Sequence, residues 1–277
     1  MTEAKVKQAG VMGWPIGHSR SPRLHGYWLK QYNIKGSYVP LAVPPENLAQ
    51  ELLALHSRGF AGVNLTIPHK ETALKLVDHI DLLAKRTGAI NTIIVGLDGS
   101  LTGQNTDIFG FSENLKASGF KLNARPAVIL GAGGAARAVI VALQDMGCTD
   151  IRLVNRTKAR AEQLAASFDH ITNAYEWNEA KKALEDVGLL INTTSLGMME
   201  QPPLSLDLKT LPKEAWVTDL VYAPLMTDLL KQANQKGHRV VDGLGMLLHQ
   251  ARPGFTAWFG VEPEVTPELR AHVLESV

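Results

Sequence analysis

Apolar positions along this chain follow two alternating rhythms. Short β-branched runs are separated by longer stretches whose apolar residues return every three or four positions, which predicts strands alternating with amphipathic helices. In the first part, strands are expected at "GVMG" (10–13), "SYVPLAV" (37–43), "GVNLTI" (62–67) and "NTIIVG" (91–96). Helices are expected over "SPRLHGYWLKQY" (21–32), with Ser21 as cap and Pro22 at the first helical position, and over "PENLAQELLALHSRG" (45–59), closed by Gly59. "LDGSLTG" (97–103) sets Asp-Gly between apolar residues, a strong hairpin signal. A second series starts near 126: strand "PAVILG", helix "AARAVIVALQDMG", strand "DIRLVN", helix "TKARAEQLAASF", then strands at "GLLINTT" (188–194), "WVTDLV" (216–221) and "HRVVDG" (238–243). "SENLKASGFKLNA" (112–124) reads as a helix and connector between the two series, and "GMLLHQARPGFTAWFG" and "TPELRAHVLESV" as terminal helices. The expected architecture is α/β, in two domains facing each other across a cleft.

The most specific local signal is "VILGAGGAARAV". Gly131-Ala132-Gly133-Gly134-Ala135-Ala136 fits G-x-G-x-x-G/A directly after an apolar strand and directly before a helix. Glycines there permit a tight turn and let a pyrophosphate reach backbone N–H groups at the helix start. A site for NAD wants Asp or Glu near the end of the next strand to hold the ribose 2′-OH. This chain has "VNRTKAR" instead, with Asn155 followed by Arg156 and no carboxylate. Arg156 and Arg160, with Lys158 between them, crowd positive charge at a helix start, where the dipole adds to the cost. A phosphate between them would turn that cost into a gain, so a 2′-phosphate pocket and NADP(H) are expected.

Composition narrows the partners. The chain has 277 residues, enough for one large domain or two ordinary ones. Its 28 Lys and Arg against 27 Asp and Glu leave a net charge of +1, so nothing argues for nucleic acid or an anionic membrane. A small molecule is the expected partner. The single cysteine, Cys148, allows no intrachain disulfide and no multi-cysteine metal site, and is expected to be a quiet buried thiol. No apolar run approaches membrane-spanning length and "MTEAKVKQAG" has no signal-peptide core, so a reducing, cytoplasmic setting is expected.

Lys70 is the misfit. In "NLTIPHKETAL" it follows an apolar strand, and Pro68 is expected at the first position of a helix, which would put a cation beside unpaired N–H groups. The bland reading is a solvated lysine. In "LTGQNTDIFG", Thr106 or Asp107 would by default cap the next helix. In "GHSRSP", capping explains Ser21 but not Ser19. His18 and His69 have no ligands at metal spacing, so no metal is expected.

Together, "GWPIGHSRSPRLH", "GVNLTIPHK", "GAINTI", "QNTDIFGF", "ILGAGGAARA", "VNRTKAR", "INTTSLGM", "DLVYAPLMTDLL" and "DGLGMLLHQA" resemble, in order, the signature blocks of the NADP-dependent shikimate dehydrogenases. The resemblance implies reversible NADPH-dependent reduction of 3-dehydroshikimate to shikimate, in chorismate and aromatic amino-acid biosynthesis. It implies an N-terminal three-layer α/β substrate domain over 1–107, with helices of 246–277 packing back on it, and a Rossmann-type doubly wound NADP-binding domain over 108–245. Lys70 and Asp107 become the catalytic pair. Ser19, Ser21, Thr66, Asn91, Tyr222 and Gln250, with that pair, become substrate contacts. Gly131, Ala132, Gly133, Gly134 and Ala135 take the pyrophosphate, and Asn155, Arg156, Thr157, Lys158 and Arg160 the adenosine phosphate end. Thr194, Leu220, Gly243 and Met246 fall near the nicotinamide. One departure is Leu82, where the family often has an acidic residue touching the cofactor; whether Asp81 replaces it stays open. Two alternatives also stay open: a quinate/shikimate dehydrogenase using NAD and NADP, and a nucleotide-sensing homologue that has lost catalysis. Nothing in one chain fixes the oligomeric state, and a homodimer remains open.

Overall fold

The apolar runs form two six-stranded sheets, one in each of two units. The computed structural model describes residues 7–168 and 170–275, so the last two positions of the expected terminal helix lie outside the described residues. One unit comprises Met1–Gly110 with Leu247–Val277, the other Phe111–Met246.

The first unit contains β1 (Lys7–Gly13), α1 (Ser21–Gln31), β2 (Gly36–Ala42), α2 (Leu48–Leu53), β3 (Phe60–Leu65), β4 (His79–Ile80), α3 (Leu82–Thr87), β5 (Thr92–Val95) and β6 (Leu101–Gln104), and α4 (Asp107–Ala117) begins in it. Strand order is β2-β1-β3-β5-β6-β4. β1 pairs parallel with β2 and β3, whereas β5 runs antiparallel to both β3 and β6, the latter through the Asp-Gly hairpin. Leu48 and Leu52 of α2 join Met12, Val63 and Leu65 in the core on one face. On the other face Gly62 has no Cβ, and one built there would collide with Trp258, whose indole donates to the Ile93 carbonyl at 3.0 Å. Tyr38 stacks on His25 of α1 at 3.9 Å there.

The second unit continues with β7 (Ala127–Leu130), α5 (Gly134–Asp145), β8 (Ile151–Asn155), α6 (Lys158–Ala165), β9 (Thr172–Glu176), α7 (Ala180–Ala183), β10 (Leu189–Asn192), β11 (Trp216–Asp219), α8 (Asp228–Gln235) and β12 (Arg239–Val241); α9 (Leu244–Phe259) and α10 (Pro267–Leu274) follow. Its strands are all parallel in the order β12-β11-β10-β7-β8-β9. Counted from β7 and read from the other edge, that is the 3-2-1-4-5-6 order of a doubly wound nucleotide fold, with its switch point between β7 and β10. β7 and β10 are buried over every residue, as central strands covered on both faces must be.

Several local expectations need correction. No α-helix follows Pro68: the Ile67–Pro68 peptide is cis, residues 67–71 are turns, and a 3₁₀ helix covers only Thr72–Lys75. Ser21 does not cap α1. Arg20 holds that position without a side-chain capping hydrogen bond, and Ser19 Oγ accepts from Ser21 N at 3.3 Å. The helix expected from 112 begins at Asp107. β9, a half-exposed edge strand, and the short β4 and α3 carry too little periodicity to be expected from pattern. Cys148 is buried, and desolvation raises its pKa, which keeps the thiol protonated.

Candidate active site

Sheet topology gathers the chemistry of the first unit on one edge. Residues 14–20, 66–71 and 105–107 follow the C-terminal ends of β1, β3 and β6. Because β5 is antiparallel to β3 and β6, its N-terminal end, at Asn91, opens on that same edge. Lys70 Nζ meets Asp107 Oδ2 at 2.5 Å, with the side chains 18% and 6% exposed. The pair is nearly dry, which sets it apart from the exposed ion pairs elsewhere on the chain. Asp107 lies in the first turn of α4. The member of the pair at a helix start is therefore the carboxylate, where negative charge is favoured, and the anticipated dipole penalty on Lys70 is absent.

Asn91 completes this arrangement. Its Oδ1 accepts from Thr106 N at 2.8 Å, which fixes the amide orientation because a backbone N–H can only donate. Its Nδ2 then donates to Asp107 Oδ1 at 2.8 Å, and also lies 3.0 Å from Thr106 Oγ1 and 3.3 Å from Gln250 Oε1 of α9. Four expected site residues, Lys70, Asn91, Asp107 and Gln250, are thus one hydrogen-bonded cluster. Ser19, Ser21 and Thr66 belong to the same sheet edge but make no direct hydrogen bond to it. Thr66 joins by backbone, its N–H donating to the Met12 carbonyl and its carbonyl accepting from His69 N, both at 2.9 Å. Asp81 caps α3 by accepting from Ala84 N at 2.6 Å, while Leu82 is 72% exposed. Asp81 is therefore committed to its own helix.

In the second unit, Gly131 leaves β7 with φ +107°, a conformation L side chains rarely adopt, and an added Cβ would meet Thr193 and Thr194 of the loop after β10. Gly133 caps α5 in extended conformation, and a Cβ there would meet no atom within 4 Å. That is a cradle of open space at the start of a twelve-residue helix. β8 ends at Asn155, whose Nδ2 donates to the Thr157 carbonyl at 2.8 Å and shapes the turn carrying Arg156. Arg156 and Arg160 are exposed, with no carboxylate partner among the described residues. Lys158 differs, lying 4.0 Å from Glu176 and 3.9 Å from Glu179. It faces carboxylates rather than an open anion site.

Thr194, Leu220, Tyr222, Gly243 and Met246 all follow the C-terminal ends of β10, β11 and β12. Sequence reasoning missed what holds two of these loops. Asp219, fully buried, accepts from Asn192 Nδ2 and Val221 N at 2.9 Å each and from Thr227 Oγ1 at 2.7 Å. Asn192 Oδ1 in turn accepts from Thr194 Oγ1 at 2.7 Å. Desolvation pushes the Asp219 pKa up to about 6 despite those donors. The available signal was a charged residue ending an otherwise apolar strand.

Known proteins resemble the chain along nearly its whole length. Residues 11–93 match the family described as the shikimate dehydrogenase substrate binding domain, and residues 114–199 that of shikimate / quinate 5-dehydrogenase. The shikimate dehydrogenase (NADP(+)) of Rhodospirillum rubrum is 56% identical over 99% of both chains. The chain belongs to the shikimate dehydrogenase family. Among solved members, shikimate 5-dehydrogenase from Thermus thermophilus in complex with NADP(H) and shikimate is 37% identical with TM-score 0.88, covering 98% of this chain and 100% of that one. Quinate dehydrogenase from Corynebacterium glutamicum in complex with NAD has TM-score 0.89 at 28% identity, covering 98% and 99%. One family scaffold thus serves different substrates and nucleotides, so specificity rests on individual side chains.

Proposed function

We propose that this protein is an NADP-dependent shikimate dehydrogenase, reducing 3-dehydroshikimate to shikimate reversibly in aromatic amino-acid biosynthesis. The observation that carries the reading is the nearly dry Lys70–Asp107 pair clamped by Asn91, in a chain of this family. On this reading the first unit holds substrate through Ser19, Ser21, Thr66, Lys70, Asn91, Asp107 and Gln250, and Tyr222, in the loop after β11, is a further candidate substrate contact. The second unit holds NADP(H), with pyrophosphate on residues 131–135 and the 2′-phosphate on Arg156 and Arg160. The turn of Asn155 and Thr157 would support that phosphate, and Thr194, Leu220, Gly243 and Met246 would lie beside the nicotinamide. The open cradle at Gly133 and the two exposed guanidiniums support that assignment.

NADPH, when bound, supplies the hydride that reduces the ketone carbon. The chain's own residues handle the proton. Lys70 Nζ gives it to the developing alkoxide and takes it back in the reverse direction, while Asp107 holds the ammonium in place. Asn91 occupies the other carboxylate oxygen and so fixes the plane in which Asp107 presents Oδ2. No helix among the described residues is long and apolar enough to cross a membrane; a cytoplasmic location is part of the same proposal. Sedimentation of the purified protein tests the homodimer.

A steady-state assay with shikimate and NADP+, repeated with quinate and with NAD+, tests the proposal. Turnover of shikimate with NADP+ well above the other pairings is expected. Comparable efficiencies with quinate and NAD+ would overturn the specific reading.

A further inference from the structure

A polar chain runs from the Lys70–Asp107 pair into the sheet, through residues that touch neither member of the pair. Asn64 sits in β3 and Thr92 opens β5, and the two are register partners across the antiparallel ladder. Both are buried, at 5% and 0% exposure, in strands that are otherwise apolar. A buried amide in an apolar strand costs free energy unless every group finds a partner, and here each does. Asn64 Oδ1 accepts from the Tyr38 hydroxyl at 2.6 Å. Asn64 Nδ2 uses its two hydrogens on the Asn91 carbonyl at 3.1 Å and on Thr92 Oγ1 at 3.0 Å. Thr92 Oγ1, accepting from Asn64, turns its own hydrogen toward Asn91 Oδ1 at 3.1 Å or Thr106 Oγ1 at 3.2 Å.

We propose that Asn64 and Thr92 are positioning residues for the Lys70–Asp107 pair, acting through Asn91. Asn64 grips the Asn91 backbone carbonyl directly and the Asn91 side-chain oxygen through Thr92. Asn91 is thereby held at both ends, and its Nδ2 has one orientation from which to meet Asp107 Oδ1. Tyr38 is the outer anchor. Burial raises its pKa well above the ordinary value, so its hydroxyl stays protonated and can donate to Asn64 Oδ1, the end of the amide that the Asn91 carbonyl leaves facing it. The orientation of both amides is then set by backbone groups with only one role: the Asn91 carbonyl, which can only accept, fixes Asn64, and the Thr106 N–H, which can only donate, fixes Asn91. The proposal deepens the dehydrogenase reading and rests on it.

The test is kinetic and uses the whole enzyme with shikimate and NADP+. Thr92→Val removes the hydroxyl at constant volume, Thr92→Ser retains it, and Tyr38→Phe removes the outer donor without changing ring packing. Thr92→Val is expected to lower kcat by roughly tenfold, the scale of one misdirected hydrogen bond in the transition state. The KM for NADP+ stays unchanged and that for shikimate moves by less than about threefold, since ground-state contacts remain. Thr92→Ser restores most of the loss, and Tyr38→Phe shows a smaller fall in kcat alone. Thermal melts identify the folded variants. Folded Thr92→Val and Tyr38→Phe proteins with kcat unchanged, or a Thr92→Ser loss equal to that of Thr92→Val, overturn the proposal and leave the function standing. A wild-type protein inactive on shikimate overturns the function, and the proposal with it.

Discussion

Asp219→Asn exchanges a fully buried carboxylate for an uncharged group of the same shape. Burial raises the folded-state pKa of Asp219 from 3.8 to about 6. Between those values the folded chain still holds a proton that the unfolded chain has released. Stability from this group is therefore complete below pH 3.8 and is lost as pH rises through about 6. A shift of about two pH units, at about 1.4 kcal/mol each, makes the loss roughly 3 kcal/mol. Asparagine cannot ionise. Its amide oxygen can still accept from Asn192 Nδ2 and Val221 N, so the variant carries at most a constant offset from the altered bond to Thr227. Urea unfolding followed by circular dichroism, from about pH 4 to 7.5, measures the difference. Wild-type stability minus that of Asp219→Asn should fall by roughly 3 kcal/mol across this range and level off above about pH 7. Parallel curves would refute the reasoning, because they would mean that the three donors fully offset desolvation.

Lys70→Ala should lower kcat for shikimate oxidation by about 10²–10⁴ while NADP+ still binds, as measured by steady-state assay and fluorescence titration. Replacing Arg156 and Arg160 together by Ala should raise the KM for NADP+ at least tenfold or so and leave that for NAD+ nearly unchanged, since the lost contacts are to the 2′-phosphate alone. His25, fully buried with neither ring nitrogen partnered among the described residues, has its pKa lowered by desolvation from 6.5 to about 3. Its contribution is present above pH 6.5 and lost as pH falls toward 3. His25→Phe, which keeps a ring stacked on Tyr38, should therefore flatten the acid side of the stability profile by roughly 3 kcal/mol between about pH 6.5 and 4; an unchanged acid limb in urea titrations would contradict this.

The sequence was most legible where function and local geometry coincide. The turn at Gly131 carries its meaning in adjacent residues, because strand, glycines and helix must follow one another to make the cradle. Lys70 was found for a reason the structure removes: Pro68 can open a helix, but here it sits in a turn. The partner that explains Lys70 is 37 residues away, brought in by the β5–β6 hairpin and the start of α4. Spacing along the chain cannot express such a pairing. Ser21 lost its expected capping role to Arg20, and Ser19 bonds the Ser21 N–H instead, because an N-cap depends on backbone angles as well as residue type. Asn64 was passed over as part of an apolar run. A polar residue that breaks a strand pattern without an exposed face to occupy is itself the signal, and it pointed to the network beneath the candidate site.

The first unit is discontinuous in sequence, and this orders its assembly in time. Gln250 reaches Asn91 across 159 positions, and the Trp258 indole reaches Ile93 across 165. As the chain leaves the ribosome, the whole of Phe111–Met246 emerges before either bond can form. The nucleotide unit can thus complete its parallel sheet first, while the first unit waits with Gly62 uncovered and Asn91 lacking its partner on α9. The lysine and its carboxylate are synthesised early, yet their surroundings close only when one of the last helices arrives.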